Sequence, residues 1–123
     1  MKKTAITLVL MMTLSMLLMG CKAGDVQTGT YELKTAEDRV RPFVRLRDNG
    51  EFLFVHSFLS SYLNIGEYEV KGGKLILETS DGNYTYSFRI RKNTLIFLAD
   101  ESSELKLTEG VGDGSVFVLK PEM

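Results

Sequence analysis

Alternation of apolar and polar residues over short segments is the feature that most constrains the fold of this chain. Between Asn83 and Arg91 every second residue is aromatic or aliphatic, with polar residues in between. Successive side chains of a β-strand point to opposite faces, so this pattern predicts strands with one buried and one solvated face. The predicted inward residues are Tyr31, Leu33, Val44, Leu46, Phe52, Phe54, Tyr68, Val70, Leu75, Leu77, Tyr84, Tyr86, Phe88 and Ile90.

Turn-forming residues separate the alternating segments. Glycine, asparagine and aspartate tolerate the positive φ angles of tight hairpins, and they recur between the predicted strands. Two further β-prone runs, Thr94 to Leu98 and Ser115 to Leu119, bring the total to about eight short strands, a spacing typical of a sandwich or barrel. The predicted turns are Asp48-Asn49-Gly50, Lys71 to Lys74, Asp81-Gly82-Asn83, Arg91-Lys92-Asn93 and Asp113-Gly114.

A loose internal repeat favours a barrel over a sandwich. Gly29 to Leu33 recurs as Gly66 to Val70, and each copy is followed by an aliphatic strand, a Gly-containing turn and an aromatic strand. Two similar halves that close edge on edge form an up-and-down barrel with no exposed strand edge. We therefore predict an all-β fold, with residues 29–120 forming one small antiparallel, lipocalin-like barrel of about eight strands.

The segment from Ser57 to Ile65 breaks the alternation. Its apolar residues have helical spacing, which predicts a short helix or an Ω-like excursion between two strands. Its apolar side either plugs one end of the barrel or acts as a lid over a ligand mouth. We predict a ligand or partner surface here, formed by Phe58, Leu59, Tyr62 and Leu63.

The predicted interior is rich in large rings. Eight short strands enclose a space that side chains only just fill, which favours a packed aromatic core over a cavity. Buried tyrosine hydroxyls need hydrogen-bond partners, so a small polar-lined pocket stays open as the alternative. The rings concerned are Tyr31, Phe52, Phe54, Tyr68, Tyr84, Tyr86 and Phe88.

The first twenty residues have the three-part layout of a secretory signal. Lys2 and Lys3 precede an uncharged run, residues 5–18, and short residues lead into Cys21. As a helix that run would span only ~21 Å, less than the ~30 Å hydrocarbon core, so a permanent transmembrane helix is the weaker interpretation. We predict a helical signal peptide at residues 1–20 and a flexible spacer at residues 21–28.

The tetrapeptide Leu18-Met19-Gly20-Cys21 resembles a bacterial lipobox. The resemblance implies that diacylglycerol alkylates the thiol of Cys21, that the chain is cut between Gly20 and Cys21, and that the new amino group is a candidate for acylation. Two acyl chains give stable membrane anchoring, whereas one is marginal. We therefore expect attachment to the extracytoplasmic face of the cell membrane, with no cofactor besides this covalent lipid.

Charge and cysteine count exclude two classes of protein. The chain has 15 basic and 16 acidic residues, and removal of Lys2 and Lys3 with the signal makes it more acidic. Nucleic-acid binding requires a basic stripe that neutralises phosphates, so we expect no nucleic-acid partner. Cys21 is the only cysteine, which excludes an intrachain disulfide scaffold.

Several segments of the barrel region resemble a group of small extracytoplasmic domains from Gram-positive bacteria that occur as lipoproteins or are appended to membrane proteins. The resemblance covers about Gly29 to Phe117 and implies a shared barrel-like fold but no activity. The segments are Gly66 to Val70, Leu75 to Thr79, Asp81 to Phe88, Leu95 to Phe97, Ser102 to Glu104 and the final Asp113 to Phe117.

Catalytic and metal sites have weak support. His56 is the only histidine, and no Gly-x-Ser-x-Gly elbow positions a nucleophile, so a histidine hydrogen-bonded at the barrel rim is favoured over a hydrolase. Asp100, Glu101 and Glu104 lack the spacing of a calcium loop and are interpreted as a solvated acidic loop. One histidine and a lipidated Cys21 cannot complete a zinc shell. We predict no catalytic residue, no metal site and no enzymatic activity.

The sequence therefore predicts a membrane-anchored, non-enzymatic binding or interaction module of the cell envelope, with an envelope or membrane protein as partner. The alternative is a carrier of a small apolar ligand inside the barrel. A carrier needs a cavity of roughly 300 Å³ or more, whereas an interaction module needs an exposed apolar patch.

Overall fold

The computed structural model describes residues 26–35, 41–58, 61–105 and 110–121. These residues form eight antiparallel strands, and the described part of the chain contains no α-helix. One short 3₁₀ turn lies at Ala99–Glu101. The strands are β1 (Gly29–Leu33), β2 (Phe43–Leu46), β3 (Glu51–Val55), β4 (Asn64–Lys71), β5 (Lys74–Thr79), β6 (Thr85–Arg91), β7 (Thr94–Phe97) and β8 (Val116–Leu119).

Each strand pairs with the next along the chain, and β8 pairs with β1 to close the barrel. The closing register joins Tyr31 to Leu119 and Leu33 to Phe117. When the paired residues are traced from β1 once around the barrel, the path returns to β1 about ten residues further along the strand. This stagger accompanies the tilt of the strands and allows the sheet to close on itself. The predicted all-β, eight-stranded, up-and-down barrel is confirmed.

Because strand direction alternates, the connections fall at two ends. The near end is where β1 begins, and it carries the short connections 47–50, 72–73 and 92–93. The opposite end, called the far end, carries the longer connections 34–42, 56–63, 80–84 and 98–115. At the near end Gly72 and Gly73 have φ angles of 60° and 76°, which a type I′ hairpin requires at both central residues. The Gly-Gly hairpin predicted from the sequence is thus present.

A cluster of aromatic rings fills the middle of the barrel. The Phe54 ring lies 5.0 Å from Tyr86 and 5.5 Å from Phe88 between centroids, both in edge-to-face geometry. Phe117 and Phe97 lie 6.1 and 6.4 Å from the same ring. Edge-to-face pairs add about 0.5–1.5 kcal/mol each beyond the area that they bury. These contacts confirm that inward rings of several strands pack together.

Most residues predicted to face inward are buried, and the exceptions lie at the ends of the barrel. Tyr68, Val70 and Ile90 are only partly buried and pack against the edge of the core. Tyr84 was predicted inward, and this prediction is wrong: the residue is exposed. It precedes the first residue of β6, so its side chain lies beyond the rim of the barrel.

Residues outside the strands close both ends. Val26 is buried against the core at the near end, and the Tyr31 hydroxyl donates a 2.6 Å hydrogen bond to the Gln27 carbonyl. Val26 and Gln27 belong to the segment predicted as a flexible spacer; in the structure Val26 packs on the core, and Gln27 is exposed apart from the carbonyl that bonds Tyr31. At the far end Val111, which lies in the connection after β7, is buried against the core.

The excursion between β3 and β4 does not have the predicted helical form in the residues that the structure describes. None of residues 57–58 and 61–63 is helical, and Phe58, Tyr62 and Leu63 are exposed. Leu59 lies outside the described residues. The apolar side chains that are described therefore face solvent instead of plugging the barrel.

Candidate interaction surface

Two far-end connections lie side by side because β4 pairs with β5. The amide of Ser80 donates a 2.9 Å hydrogen bond to the Ile65 carbonyl, which joins the start of β4 to the end of β5. The connection 56–63 precedes this point and the connection 80–84 follows it. These two connections and the start of β4 expose five large apolar or aromatic side chains, which we call the apolar surface: Phe58, Tyr62, Leu63, Ile65 and Tyr84.

Leu63 and Ile65 are the most exposed members of the apolar surface, at 63% and 47%. Ile65 belongs to β4 and shares its outward face with Glu67 and Glu69. Ile65 was predicted to lie in the excursion but not among the four named surface residues, and Tyr84 was predicted to face inward. For Ile65 the signal was present, since its spacing of two and four residues from these glutamates places it on the same face.

A hydrogen-bond network holds Tyr62 on the neighbouring turn. The Tyr62 hydroxyl donates to Oδ2 of Asp81. Oδ1 of the same carboxylate accepts hydrogen bonds from the Thr79 hydroxyl at 2.7 Å and the Asn83 amide at 3.0 Å. These donors, Tyr62 first, lower the pKa of Asp81 from 3.8 to about 2. The carboxylate is therefore ionised at neutral pH and fixes the exposed Tyr62 ring in place.

Three tyrosines connect the apolar surface to the core. The rings of Tyr62 and Tyr84 meet edge to face at 5.2 Å, and Tyr84 stacks nearly parallel to Tyr86 at 6.4 Å. Tyr86 is buried, and its hydroxyl lies 3.0 Å from Oδ1 of the buried Asn64. The Asn64 amide in turn donates to the Phe54 carbonyl at 3.3 Å. The surface thus rests on a packed and hydrogen-bonded base.

Burial controls the ionisation of Tyr86 and His56 beneath the apolar surface. Burial, ahead of the nearby Tyr84 hydroxyl, raises the pKa of Tyr86 to about 12, so its hydroxyl keeps the proton that it donates to Asn64. His56 lies at the end of β3, buried 5.5 Å from the Phe54 ring and 6.3 Å from the Tyr86 ring. Burial lowers the pKa of His56 from 6.5, which favours the neutral imidazole. The histidine predicted at the barrel rim is buried at the far end.

The acidic residues after β7 are not gathered into one site. Asp100 and Glu101 lie on the 3₁₀ turn, and Glu101 forms a 2.7 Å ion pair with Lys74. Across the described ranges, no group of three or more His, Cys, Asp or Glu side chains is placed to hold a metal ion.

A depression of about 450 Å³ lies along β4 and β5. Its lining includes Glu67, Glu69 and Glu78, which are exposed on the outside of the barrel. Glu67 pairs with Glu78 across the two strands and with Glu51 on β3. The alternation of the sequence places each of these glutamates outward, and the strand register brings Glu51, Glu67 and Glu78 into one row.

The predicted site residues have different outcomes. Phe58, Tyr62 and Leu63 all reach solvent at the far end. Cys21 and Leu59 lie outside the described residues, so their predicted roles stay predictions. No helix in the described part of the chain is long and apolar enough to cross a membrane.

Comparison with protein-family models, with curated proteins and with solved structures found no match to the chain. The barrel implied by the resemblance to Gram-positive extracytoplasmic domains is present, and the membership of a family stays a prediction.

Proposed function

We propose that this chain is a lipid-anchored protein of the cell envelope whose barrel is a non-enzymatic interaction module. It binds an envelope or membrane protein through the apolar surface at the far end. The observation that carries the proposal is the concentration of exposed apolar side chains there. Among the described residues six large hydrophobic side chains are exposed, and only Val118 lies outside this surface.

The chemistry of the apolar surface suits a protein partner. Contiguous exposed apolar patches are typical of interaction sites, and tyrosine is enriched at the centres of protein interfaces. Tyr62 and Tyr84 are held by ring contacts and by the bond to Asp81. Side chains that are already fixed lose little conformational entropy when a partner binds, which favours affinity.

The packed interior favours an interaction module over a ligand carrier. A carrier needs roughly 300 Å³ or more of enclosed apolar space. The ring cluster around Phe54 occupies the middle of the barrel, with centroid separations of 5.0–6.4 Å. The depression of about 450 Å³ has exposed glutamates in its lining, which suits an apolar ligand poorly.

The proposed location rests on the lipobox-like segment before Cys21. Metabolic labelling with a fatty-acid analogue tests it: the wild-type chain incorporates the label, and Cys21→Ser does not. Equal labelling of the two chains would remove the lipid anchor from the proposal.

Site-specific photo-cross-linking tests the interaction. A photoreactive amino acid replaces Leu63, the most exposed member of the apolar surface, in the full chain produced in its own cells. Val118 on β8 is the matched control, because it is also an exposed aliphatic residue but lies outside the surface. We expect a cross-linked species of discrete mass from position 63 and none from position 118. Equal yields at both positions, or none at either, would contradict the proposal.

A second variant tests the chemistry of binding. Tyr62→Ala removes a large ring from the apolar surface together with its bond to Asp81. Truncation of a tyrosine that forms a binding hot spot, the role proposed for Tyr62, costs about 2 kcal/mol or more of binding free energy. We therefore expect the cross-link from position 63 to fall at least tenfold in this variant, since ~1.4 kcal/mol is tenfold in affinity.

A further inference from the structure

The near end of the barrel carries exposed basic residues in or directly beside each of its turns and just after β8. We call them the basic rim: Arg47, Lys71, Arg91, Lys92 and Lys120. The described acidic residues at the same turns are Asp48 and Glu51, the first residue of β3. The rim therefore has a marked excess of positive charge in a chain with 15 basic and 16 acidic residues.

Backbone hydrogen bonds bring most of the rim together. The Ile90 amide donates to the Gly73 carbonyl at 3.0 Å, which places the hairpin after β4 beside the end of β6. The Leu119 amide donates to the Asn93 carbonyl at 2.9 Å, which places the end of β8 beside the next hairpin. Lys71, Arg91, Lys92 and Lys120 thus lie on adjoining turns.

Most of the rim is available to an external anion. Lys120 lies 3.5 Å from Glu32. Within the described ranges, no ion pair involves Arg47, Lys71, Arg91 or Lys92.

The described residues of the far-end connections have an excess of acidic side chains. Its described connections contain the exposed acids Asp81, Asp100, Glu104 and Asp113. The described basic residues there are Lys34 and Arg41. Among the described residues, charge is thus separated along the barrel axis, with a basic excess where β1 begins and an acidic excess at the end that carries the apolar surface.

The chain enters the barrel through the basic end. Val26 is buried there, and Gln27 is bonded to Tyr31. Residues 21–25 can span at most about 18 Å when fully extended. An anchor at Cys21 therefore keeps the near end close to the bilayer, where the attraction between basic residues and anionic headgroups operates, since it decays within roughly 10 Å.

We propose that the basic rim is a lipid-facing surface that rests on anionic phospholipid headgroups and directs the apolar surface away from the bilayer. This inference rests on the membrane anchor of the proposed function, and it adds the orientation of the domain and the chemistry of the surface that it contacts. Each basic residue near an anionic membrane favours the surface-bound state over the freely tethered state about fivefold. Loss of two rim residues should reduce the ratio of surface-bound to freely tethered domains about 25-fold.

Fluorescence quenching in vesicles tests the orientation. The full protein is extracted from cell membranes and reconstituted into phosphatidylcholine vesicles with or without phosphatidylglycerol, each containing a headgroup-attached quencher. A single cysteine for the dye is introduced at the near end, Asn93→Cys, or at the far end, Asn83→Cys; both positions are exposed. If the wild-type chain takes up the dye, the thiol of Cys21 is free and carries no lipid. Failure of the lipid anchor is therefore distinguished from failure of the orientation.

The proposal predicts quenching at position 93 that requires phosphatidylglycerol and weakens with added salt, and little quenching at position 83. Lys71→Gln with Lys92→Gln should remove most of it. The control variant, Lys34→Gln with Ser61→Glu, changes the net charge by the same amount at the far end. It should not reduce the quenching at position 93. Equal quenching at both positions, or quenching that is insensitive to the rim substitutions, would overturn the proposal.

Discussion

Gly66 is the position at which one added methyl group should do most damage to the barrel. A Cβ on this residue would lie 2.1 Å from the Glu78 carbonyl oxygen, 2.9 Å from the Ser80 nitrogen and 3.0 Å from the carbonyl carbon of Thr79. All three contacts are with backbone atoms of β5 and the residue after it, so no side-chain rotation can relieve them. Gly66→Ala must therefore separate β4 from β5.

The cost of that separation follows from the bonds at the site. A shift of about 1 Å breaks the 2.9 Å bond from the Ser80 amide to the Ile65 carbonyl, a net loss of about 1 kcal/mol. Overpacking costs a further ~1–3 kcal/mol. Alanine also lowers the conformational entropy of the unfolded chain, which stabilises the folded state by ~0.4–1 kcal/mol and offsets part of this cost. We expect Gly66→Ala to lower the free energy of unfolding by about 2–3 kcal/mol, or the melting temperature by roughly 10–20 °C.

Gly112→Ala is the matched control. A Cβ there meets nothing within 4 Å, and the residue does not have a positive φ angle. Only the unfolded-state effect remains, so this variant should be neutral or slightly more stable than wild type. Urea unfolding followed by circular dichroism measures both variants. If Gly66→Ala unfolds at the same urea concentration as Gly112→Ala, the close approach of β4 and β5 is not a constraint on the fold.

Three further predictions concern the base of the apolar surface. Tyr62→Phe should raise the pKa of Asp81 from about 2 toward 3.8, because the Tyr62 hydroxyl is the largest cause of the shift; an unchanged carboxyl titration by NMR would contradict this. Tyr86→Phe should cost about 1–3 kcal/mol of unfolding free energy, because it removes the hydroxyl that bonds the buried Asn64; urea unfolding measures it, and wild-type stability would refute it. Because the pKa of His56 is lowered in the folded state, the unfolded chain binds the proton more readily, so stability should fall as the pH drops below 6.5. His56→Asn should flatten that dependence in urea unfolding, and an unchanged slope would exclude His56 as its source.

The alternation of the sequence was sufficient to predict the strands but not the ends of the barrel. Leu75, Leu77 and Phe88 are buried as predicted, because a strand with one wet face fixes which side chains point inward. Tyr84 occupies the same position in the alternation as Phe88, yet it is exposed. Alternation does not show where a strand ends at the rim of the barrel. Burial of Val26 could not be predicted, since it depends on how the chain enters the closed barrel.

The candidate site was predictable in part for the same reason. The break in alternation after Ser57 marked the segment that carries Phe58 and Leu63, but helical spacing favoured a helix that the described residues do not form. Ile65 and Tyr84 joined the surface through the pairing of β4 with β5, a contact between residues distant in sequence. Local pattern identifies which segment is unusual, and strand register determines its neighbours.

The number of strands determines which connections share an end of the barrel. In an up-and-down barrel, connections after odd-numbered strands lie at one end and those after even-numbered strands at the other. Eight is even, so the chain enters and leaves at the same end, which is the end with the two-residue hairpins at 72–73 and 92–93. The long connections, including 98–115, lie opposite. If a chain of this topology is tethered at its N-terminus, its longer connections lie on the side away from the anchor. These connections can gain binding residues without disturbing a hairpin.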